Sequence, residues 1–490
     1  MNEAGQMSMA AETLAMLPEL FLLVGAVFGL LVGLWSPQQR QRRVRAIAVA
    51  ACVGSALAAV PALSAPADRV FEGLWIIDTT TGIVRITVAV GIAVVILLSA
   101  SSLAGHPRET EAYVLMLLGG IGTVALGASG DLLLLVAAYL LASVPLYALA
   151  GFAKDSRGTE ATLKYYLMGA LTAALMMIGV AALVLASGSS NYADLARMLP
   201  GAPLGLLAVG VLGVLAGVWF KAGAVPVHFW VPDVTAGTMP SMAAYLTTIP
   251  KLGAVAAAFR LLAEPFAGVP LDVPLLVAVI AALSMTLGNL AAFAQTEVLR
   301  LLAYSTISQV GYLFMVVAVA ARSDLAVPAL AIYLAGYTIT NIGAFAAVAV
   351  APEARTISDW VSAIGPRRWL VVSLVVCLLG LVGTPPTAVF VGKLAVFAAT
   401  WDGALVWLVV VAAVNTVASL FYYLRWIAAG ALESAPAPGA GAAEHTQGAL
   451  LLATGRRTLR APAVVLHTTA AASLLLGIGS GLWLALALPG

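Results

Sequence analysis

Charged residues make up only 9% of this 490-residue chain, which excludes a water-covered globule of that size. Apolar residues reach 62% and the mean hydropathy is +1.04, so hydrocarbon is the solvent for most of the surface. The formal net charge is +2, and no Lys/Arg block is interleaved with aromatics, which excludes a phosphate-tracking nucleic-acid surface. Cysteine is nearly absent. Cys52 and Cys377 both fall inside apolar runs and read as small packing residues, neither a disulfide nor a metal pair. Clustered cysteines, paired haem histidines and a Gly-rich phosphate loop after a strand are all missing, so no redox cofactor is expected within the chain. The first residues, Met1 to Ala11, lack a basic segment and a cleavage site, and the first apolar run reads as a retained helix.

What is present is a series of long apolar runs. A helical span needs roughly twenty apolar residues at about 1.5 Å rise each. Runs of that kind fall at 14–35, 44–63, 82–103, 111–128, 131–152, 162–187 and 204–224. Seven more follow at 239–263, 272–294, 298–321, 325–351, 369–398, 402–431 and 465–488. The expected fold is an all-α polytopic membrane protein of about fourteen helices; the runs are too long, and lack the alternation, for a barrel.

Basic residues alternate with the turns. One side carries Arg40, Arg42, Arg43, Arg45, Arg108, Lys154, Arg157, Arg300, Arg355, Arg367, Arg368, Arg456, Arg457 and Arg460. The other has scattered Arg69, Arg197, Arg260 and Arg322. The positive-inside rule makes the Arg-rich side cytoplasmic and turns both termini outward. The stretch from Glu433 to Arg460, rich in Ala, Pro and Gly, reads as a flexible cytoplasmic loop.

Two places interrupt the helical pattern: Ala222–Pro240, with Pro226, Pro232, Gly237 and Pro240, and Gly383-Thr384-Pro385-Pro386. Broken helices in a bilayer survive only where protein or water satisfies the freed backbone, and they often mark a transport path. An ordinary proline kink or re-entrant loop is the other reading.

Only five lysines occur: Lys154, Lys164, Lys221, Lys251 and Lys393. Lys221 ends an apolar run before the first break, Lys251 lies within the next run, and Lys393 follows the second break. Lys164 sits near the start of its helix, within reach of the cytoplasmic surface. A charge at mid-bilayer costs ~2.5–3.5 kcal/mol on insertion scales, so each needs a reason. A desolvated lysine sheds its proton near neutral pH, whereas arginine does not, so buried lysines suit a proton relay. The competing role is a cap on loose carbonyls at a broken helix.

Other polar groups carry less. His228 follows Lys221 by seven residues and shares its face if the helix continues; it either passes protons or bonds the loop. Asp233 reads as a cap for its short segment. Tyr304, Ser305, Thr306, Ser308 and Gln309 form a possible hydration path or simply pack. Glu19, Asp131 and Asp402 read as anchors near run ends, which leaves no intramembrane carboxylate for a sodium path.

Three stretches in order, FKAGAVPVHFWVPDVTAGTMPSMAAYLTTIPK (Phe220–Lys251), VLRLLAYSTISQVGYL (Val298–Leu313) and LVGTPPTAVFVGKLAVF (Leu381–Phe397), resemble the antiporter-like membrane subunits of respiratory complex I. LPEL at Leu17–Leu20, SVPLYALAGF at Ser143–Phe152 and ATLKYYLMGA at Ala161–Ala170 extend the resemblance over nearly the whole chain. Mrp-type cation/proton antiporter subunits share the broken seventh and twelfth helices, but the LKYYLMG and PLYAL wording and Lys393 are more similar to the subunit N branch of complex I.

The resemblance implies fourteen helices with two inverted five-helix repeats. Helices one to three then occupy 1–110, the first repeat (helices four to eight) 111–263, the second (nine to thirteen) 264–431, the loop 432–464 and the last helix 465–490. It implies a bacterial inner-membrane location and proton translocation coupled to quinone reduction elsewhere in the complex. NADH, FMN, iron–sulfur clusters and quinone would belong to partner subunits, and antiporter-like subunit M with the small subunits J and K would be neighbours. On that pattern Lys221 matches the broken-helix lysine, Lys251 the central lysine of helix eight, Lys393 the exit-side residue of helix twelve, Lys164 the lysine of helix six and His228 the loop histidine.

One departure stands out. The family usually has a glutamate in the fifth helix that pairs with the broken-helix lysine; Leu140 occupies its place here. Asp131, nine residues earlier and thus about 13.5 Å along a helix, is too far to substitute. Lys221 then loses a stabiliser of its charged form. Leu299 and Gln309 are lesser departures, where lysine and histidine are common. Three functions remain in play: a proton-channel subunit of an NADH:quinone oxidoreductase, a cation/proton antiporter subunit, and a non-pumping structural subunit.

Overall fold

The computed structural model describes residues 9–37, 40–64, 66–432 and 460–487; the expected flexible loop falls largely at 433–459, outside the described residues. After a short helical turn at Met9–Ala15 come α1 (Leu17–Trp35), α2 (Arg42–Ala59), α3 (Thr79–Ser99) and α4 (Glu109–Ala128), with a small hairpin, β1 (Asp68–Val70) and β2 (Trp75–Ile77), between α2 and α3. That hairpin has no counterpart in the sequence reading; its strands are three residues each, too short for a periodic signal. The fifth crossing is kinked into α5 (Leu132–Leu141) and α6 (Val144–Ala150). Pro145 lacks the N–H that would have bonded back across the joint. Then follow α7 (Ser156–Ser187), α8 (Leu204–Ala222), the short α9 (Trp230–Gly237), α10 (Pro240–Ala263), α11 (Val273–Phe293), α12 (Val298–Ala318) and α13 (Ala326–Val350). An amphipathic α14 (Ile357–Ile364) precedes α15 (Arg368–Val382), α16 (Ala388–Asp402), α17 (Val406–Leu432) and α18 (Arg460–Ala487).

Among the described residues, 13 helices are long and apolar enough to cross a membrane. The expected fourteenth, the run 369–398, is divided between α15 and α16, each 15 residues. Together they make the remaining crossing, so the two counts agree. Burial is greatest in the middle of the bundle: α10 and α12 are 94% buried over their apolar windows, whereas α2 is 33% buried. The lysine helix α10 is thus wrapped by protein, and the outer helices present leucine, valine and phenylalanine to lipid.

The same backbone strap recurs at two places. At the start of α5, the Leu132 N–H donates to Ser190 O at 2.9 Å and the Tyr192 N–H to Gly130 O at 2.9 Å. At the start of α12, the Val298 N–H donates to Arg355 O at 2.9 Å and the Ile357 N–H to Thr296 O at 3.1 Å. The two starts lie five crossings apart, and therefore on opposite faces.

Several anchors are as expected. Asp131 caps α5 through the Leu133 and Leu134 N–H groups and accepts from Ser190 at 2.6 Å. Asp402 accepts from Ser323 at 2.6 Å. Cys52 and Cys377 are buried and free. Glu19 corrects the expectation of a carboxylate-free interior. It is 5% exposed inside α1 and held by both Arg85 Nε, at 2.7 Å, and Nη2, at 2.8 Å. This bidentate pair ties α1 to α3 and leaves no carboxylate oxygen free of a cation.

Candidate functional site

The two sequence breaks are real, and both end a helix in the same way. The α8 helix stops at Ala222 and Gly223 follows with φ +77°, its N–H shared between Trp219 O and Phe220 O. The α15 helix stops at Val382 and Gly383 follows with φ +89°, its N–H shared between Leu379 O and Gly380 O. Only glycine enters that left-handed region without Cβ strain. Helix ends leave carbonyls without partners, and in hydrocarbon something must donate to them. Trp230 Nε1 donates to Phe220 O at 2.9 Å, Gln309 Nε2 to Leu381 O at 2.7 Å and Lys393 Nζ to Val382 O at 2.9 Å.

Lys221, Lys251 and Lys393 are buried, at 0%, 0% and 3% exposure, and none takes part in an ion pair among the described residues. Each amine instead lies at the C-terminal end of a broken helix. Lys221 Nζ donates to Ala142 O at 3.1 Å, the C-cap of α5, and to Ser143 Oγ at 2.5 Å, with the Tyr139 ring 4.9 Å away. Lys251 Nζ donates to Thr306 Oγ1 at 2.9 Å, and a Cβ built on Gly223, the C-cap of α8, would lie 3.5 Å from that nitrogen. Lys393 Nζ is on the last carbonyl of α15, with the Tyr312 ring centroid 3.9 Å away. Such ends carry about half a negative charge from aligned peptide dipoles, so each amine has a counter-charge of backbone origin.

This answers the missing glutamate in part. Leu140 is 43% exposed on the outer flank of α5, while the Lys221 amine addresses the kink just after it. Ser143 and Tyr139 therefore belong to the site, and neither stood out in the sequence. The signal was Pro145, whose missing N–H opens the joint.

The α12 helix lines the region between Lys251 and Lys393. Thr306, Gln309 and Tyr312 recur every three residues and so share one face. Gln309 Oε1 accepts from the Tyr333 hydroxyl at 2.5 Å, and Tyr312 pairs with Thr416 at 2.9 Å. Of the expected hydration residues, Ser305 is buried and bonded to the Tyr423 hydroxyl, Ser308 is buried with its hydroxyl unpartnered among the described residues, and Tyr304 is half-buried.

Lys164 and His228 are not gathered with the other three. Lys164 is 46% exposed and ion-paired to Glu160 and Asp233, each at 2.8 Å. Asp233 also meets Arg300 at 3.1 Å, so it is a junction between α7, α9 and α12 where a helix cap was expected. These groups line a cavity of about 210 Å3 on the Arg-rich face. The helix does not continue from Lys221 to His228: residues 224–229 form a non-helical linker, so spacing along one helical face does not apply. His228 is 7% exposed with its Nδ1 unpartnered among the described residues.

A family model described as NADH:quinone oxidoreductase/Mrp antiporter, transmembrane, matches residues 129–419, which span both breaks and all three buried lysines. The chain belongs to this family. NADH-quinone oxidoreductase subunit N 1 of Streptomyces griseus subsp. griseus is 51% identical over 476 residues, covering 97% of this chain and 98% of that protein. A chain of respiratory complex I from Thermus thermophilus superimposes with a TM-score of 0.76 at 27% identity, over 96% of this chain and 98% of that one. A chain of the Mrp complex from Dietzia sp. gives a TM-score of 0.78 at 19% identity, covering 98% and 96%, which speaks to the shared fold alone. The likeness to the subunit N relative and to the complex I chain thus reaches well beyond the 129–419 match, over 96% or more of this chain.

Proposed function

We infer that this family member is the proton-translocating membrane-arm subunit N of an NADH:quinone oxidoreductase, a multi-pass protein of a bacterial inner membrane. The observation that carries the mechanism is the seating of Lys221, Lys251 and Lys393 at C-terminal ends of interrupted helices, with no carboxylate paired to them among the described residues. A proton held on such an amine is stabilised by dipoles rather than by a full counter-charge, so each site is sensitive to a charge arriving nearby. Protons would enter from the Arg-rich, cytoplasmic face past Lys164 and His228, and pass Lys221 and Lys251. They would then follow the α12 hydroxyls and amides, with Tyr304, Ser305 and Ser308 beside them, to Lys393. Both termini would face outward.

The two breaks and the recurrent strap support two inverted repeats, 111–263 and 264–431, following an N-terminal unit at 1–110. Quinone reduction, with NADH, FMN and iron–sulfur clusters, belongs to partner subunits in this reading, and subunits M, J and K are the expected neighbours. The Mrp-type alternative has less support, because the buried Glu19 is fully engaged by Arg85 and is far in sequence from either break.

Lys221→Ala and Lys251→Ala in the reconstituted complex should each lower protons moved per quinone reduced by several-fold. The measurement is acidification-dependent dye quenching in vesicles, normalised to quinone reductase rate. Unchanged pumping in both variants would leave only an architectural role.

A further inference from the structure

The face opposite the Arg-rich one holds a cavity of about 480 Å3, lined by Asp68, Arg69, Ile76, Asp78, Arg260 and Glu264 among others. Arg69 and Glu264 close its rim through a 2.5 Å ion pair. Its floor is Arg260 of α10, only 7% exposed. The guanidinium is used on every side: Nε donates to Gly127 O at 2.6 Å, Nη1 to Asp78 Oδ2 at 2.9 Å, and Nη2 to Asp78 Oδ1 and Thr81 Oγ1, both at 2.7 Å. Although burial opposes it, the guanidinium beside Asp78 holds that carboxyl below its usual range, so the carboxylate stays ionised at neutral pH. Arg260 lies nine residues beyond Lys251 on the same helix, about 13.5 Å deeper toward this face.

Between them, Leu252 to Phe259 contribute no polar side chain and are all buried. Here α4 and α10 touch backbone to backbone: a Cβ on Gly253 would fall 2.1 Å from Thr123 O, and one on Gly127 would fall 3.1 Å from the Ala256 methyl. Hydroxyls on the neighbouring α4 and α3 turn inward on their own helices, Thr123 to Gly119 O and Thr87 to Ile83 O. The cavity therefore reaches Arg260 and ends there.

Resting on the lysine-relay reading, we propose that Arg260, clamped by Asp78 and Gly127 above a dry stretch of α10, is a fixed plug that closes the first half of the bundle toward the outer face. Guanidinium is the suitable group. It has five donors and no acceptor, and it does not lose its proton, so water in the cavity cannot hand a proton through it. A proton on Lys251 then has one way onward, across Thr306 into the second half. The plug gives direction to the path by denying the short route out.

The test is passive leak. An imposed pH gradient is followed in liposomes carrying the assembled complex, without substrate. Arg260→Gln, which supplies a neutral acceptor, should speed its decay several-fold. Glu264→Gln breaks the rim pair but leaves the guanidinium and its clamp in place and should decay as wild type does, whereas Arg260→Lys puts there an amine that can shed its proton and should leak as Arg260→Gln does. Equal leak in all three variants would mean that packing rather than chemistry was disturbed, and no leak in assembled Arg260→Gln would also overturn the plug. If Arg260→Gln does not assemble, cysteine mapping decides. An impermeant thiol reagent should modify Ala67→Cys at the cavity and leave Ala256→Cys untouched from that same side, the native cysteines being buried. Labelling of Ala256→Cys would defeat the proposal. Because no turnover is involved, a negative result here leaves the Lys221→Ala and Lys251→Ala pumping test standing on its own.

Discussion

Lys221 keeps a partner because the fifth crossing opens next to it. The Ala142 carbonyl and the Ser143 hydroxyl take two of its three donors. A hydrogen bond to a charged group contributes about 1.5–3 kcal/mol, so Ser143→Ala should loosen the amine from the joint and lower pumping by several-fold at matched quinone reductase rate. Ser143→Thr should preserve it. Leu140→Glu should not raise pumping, because Leu140 is 43% exposed on the outer flank and the new carboxylate would face away from the amine. A gain of pumping in that variant would show that α5 rotates to deliver the side chain. At this scale the sequence exposed a gap without showing what fills it. Charge-bearing residues are visible in a sequence, but the Ala142 oxygen is backbone, and only Pro145, three residues on, hinted that it would be free. Lys164 was placed within reach of the cytoplasmic surface from its position in the helix, but the ion pairs with Glu160 and Asp233 that hold it there come from packing.

Among the elements, the breaks were legible from glycine and proline in AGAVP and VGTPP, and the structure ends both helices on those glycines. What was lost was everything beyond the stop: once α8 ended at Ala222, periodicity could no longer locate His228. Gly223→Ala and Gly383→Ala test the stops. Left-handed backbone costs a side-chain-bearing residue about 1–2 kcal/mol. A Cβ at Gly383 would also press to 2.9 Å from Lys393 Cδ, and one at Gly223 to 2.8 Å from Val231 Cγ2. Both variants should assemble, melt at lower temperature in detergent, and pump less per quinone reduced. Full pumping in both would mean that the caps are dispensable to the path.

For the molecule as a whole, hydropathy and basic-residue alternation sufficed to lay out the crossings, because lipid imposes length and composition on every one of them. Which halves touch was not legible, since contacts such as Asp233 with Lys164 and Arg300 join residues 67 or more positions apart. Those partially exposed pairs hold α9 between α7 and α12, and Asp233→Asn should lower the melting temperature of the complex by only about 1–2 °C. Asp233→Glu, which keeps a carboxylate between Lys164 and Arg300, should show no such loss; a larger drop in both variants would mark Asp233 as more than a tie.

The break glycines bear on motion too. Gly223 lies beside the tip of Lys251 and Gly383 beside the stem of Lys393, so a swing of either helix end would press on a proton-carrying side chain. A shove delivered to such a joint from a neighbouring protein would then move charge as well as backbone, and would reach the next lysine as a change in local electric potential.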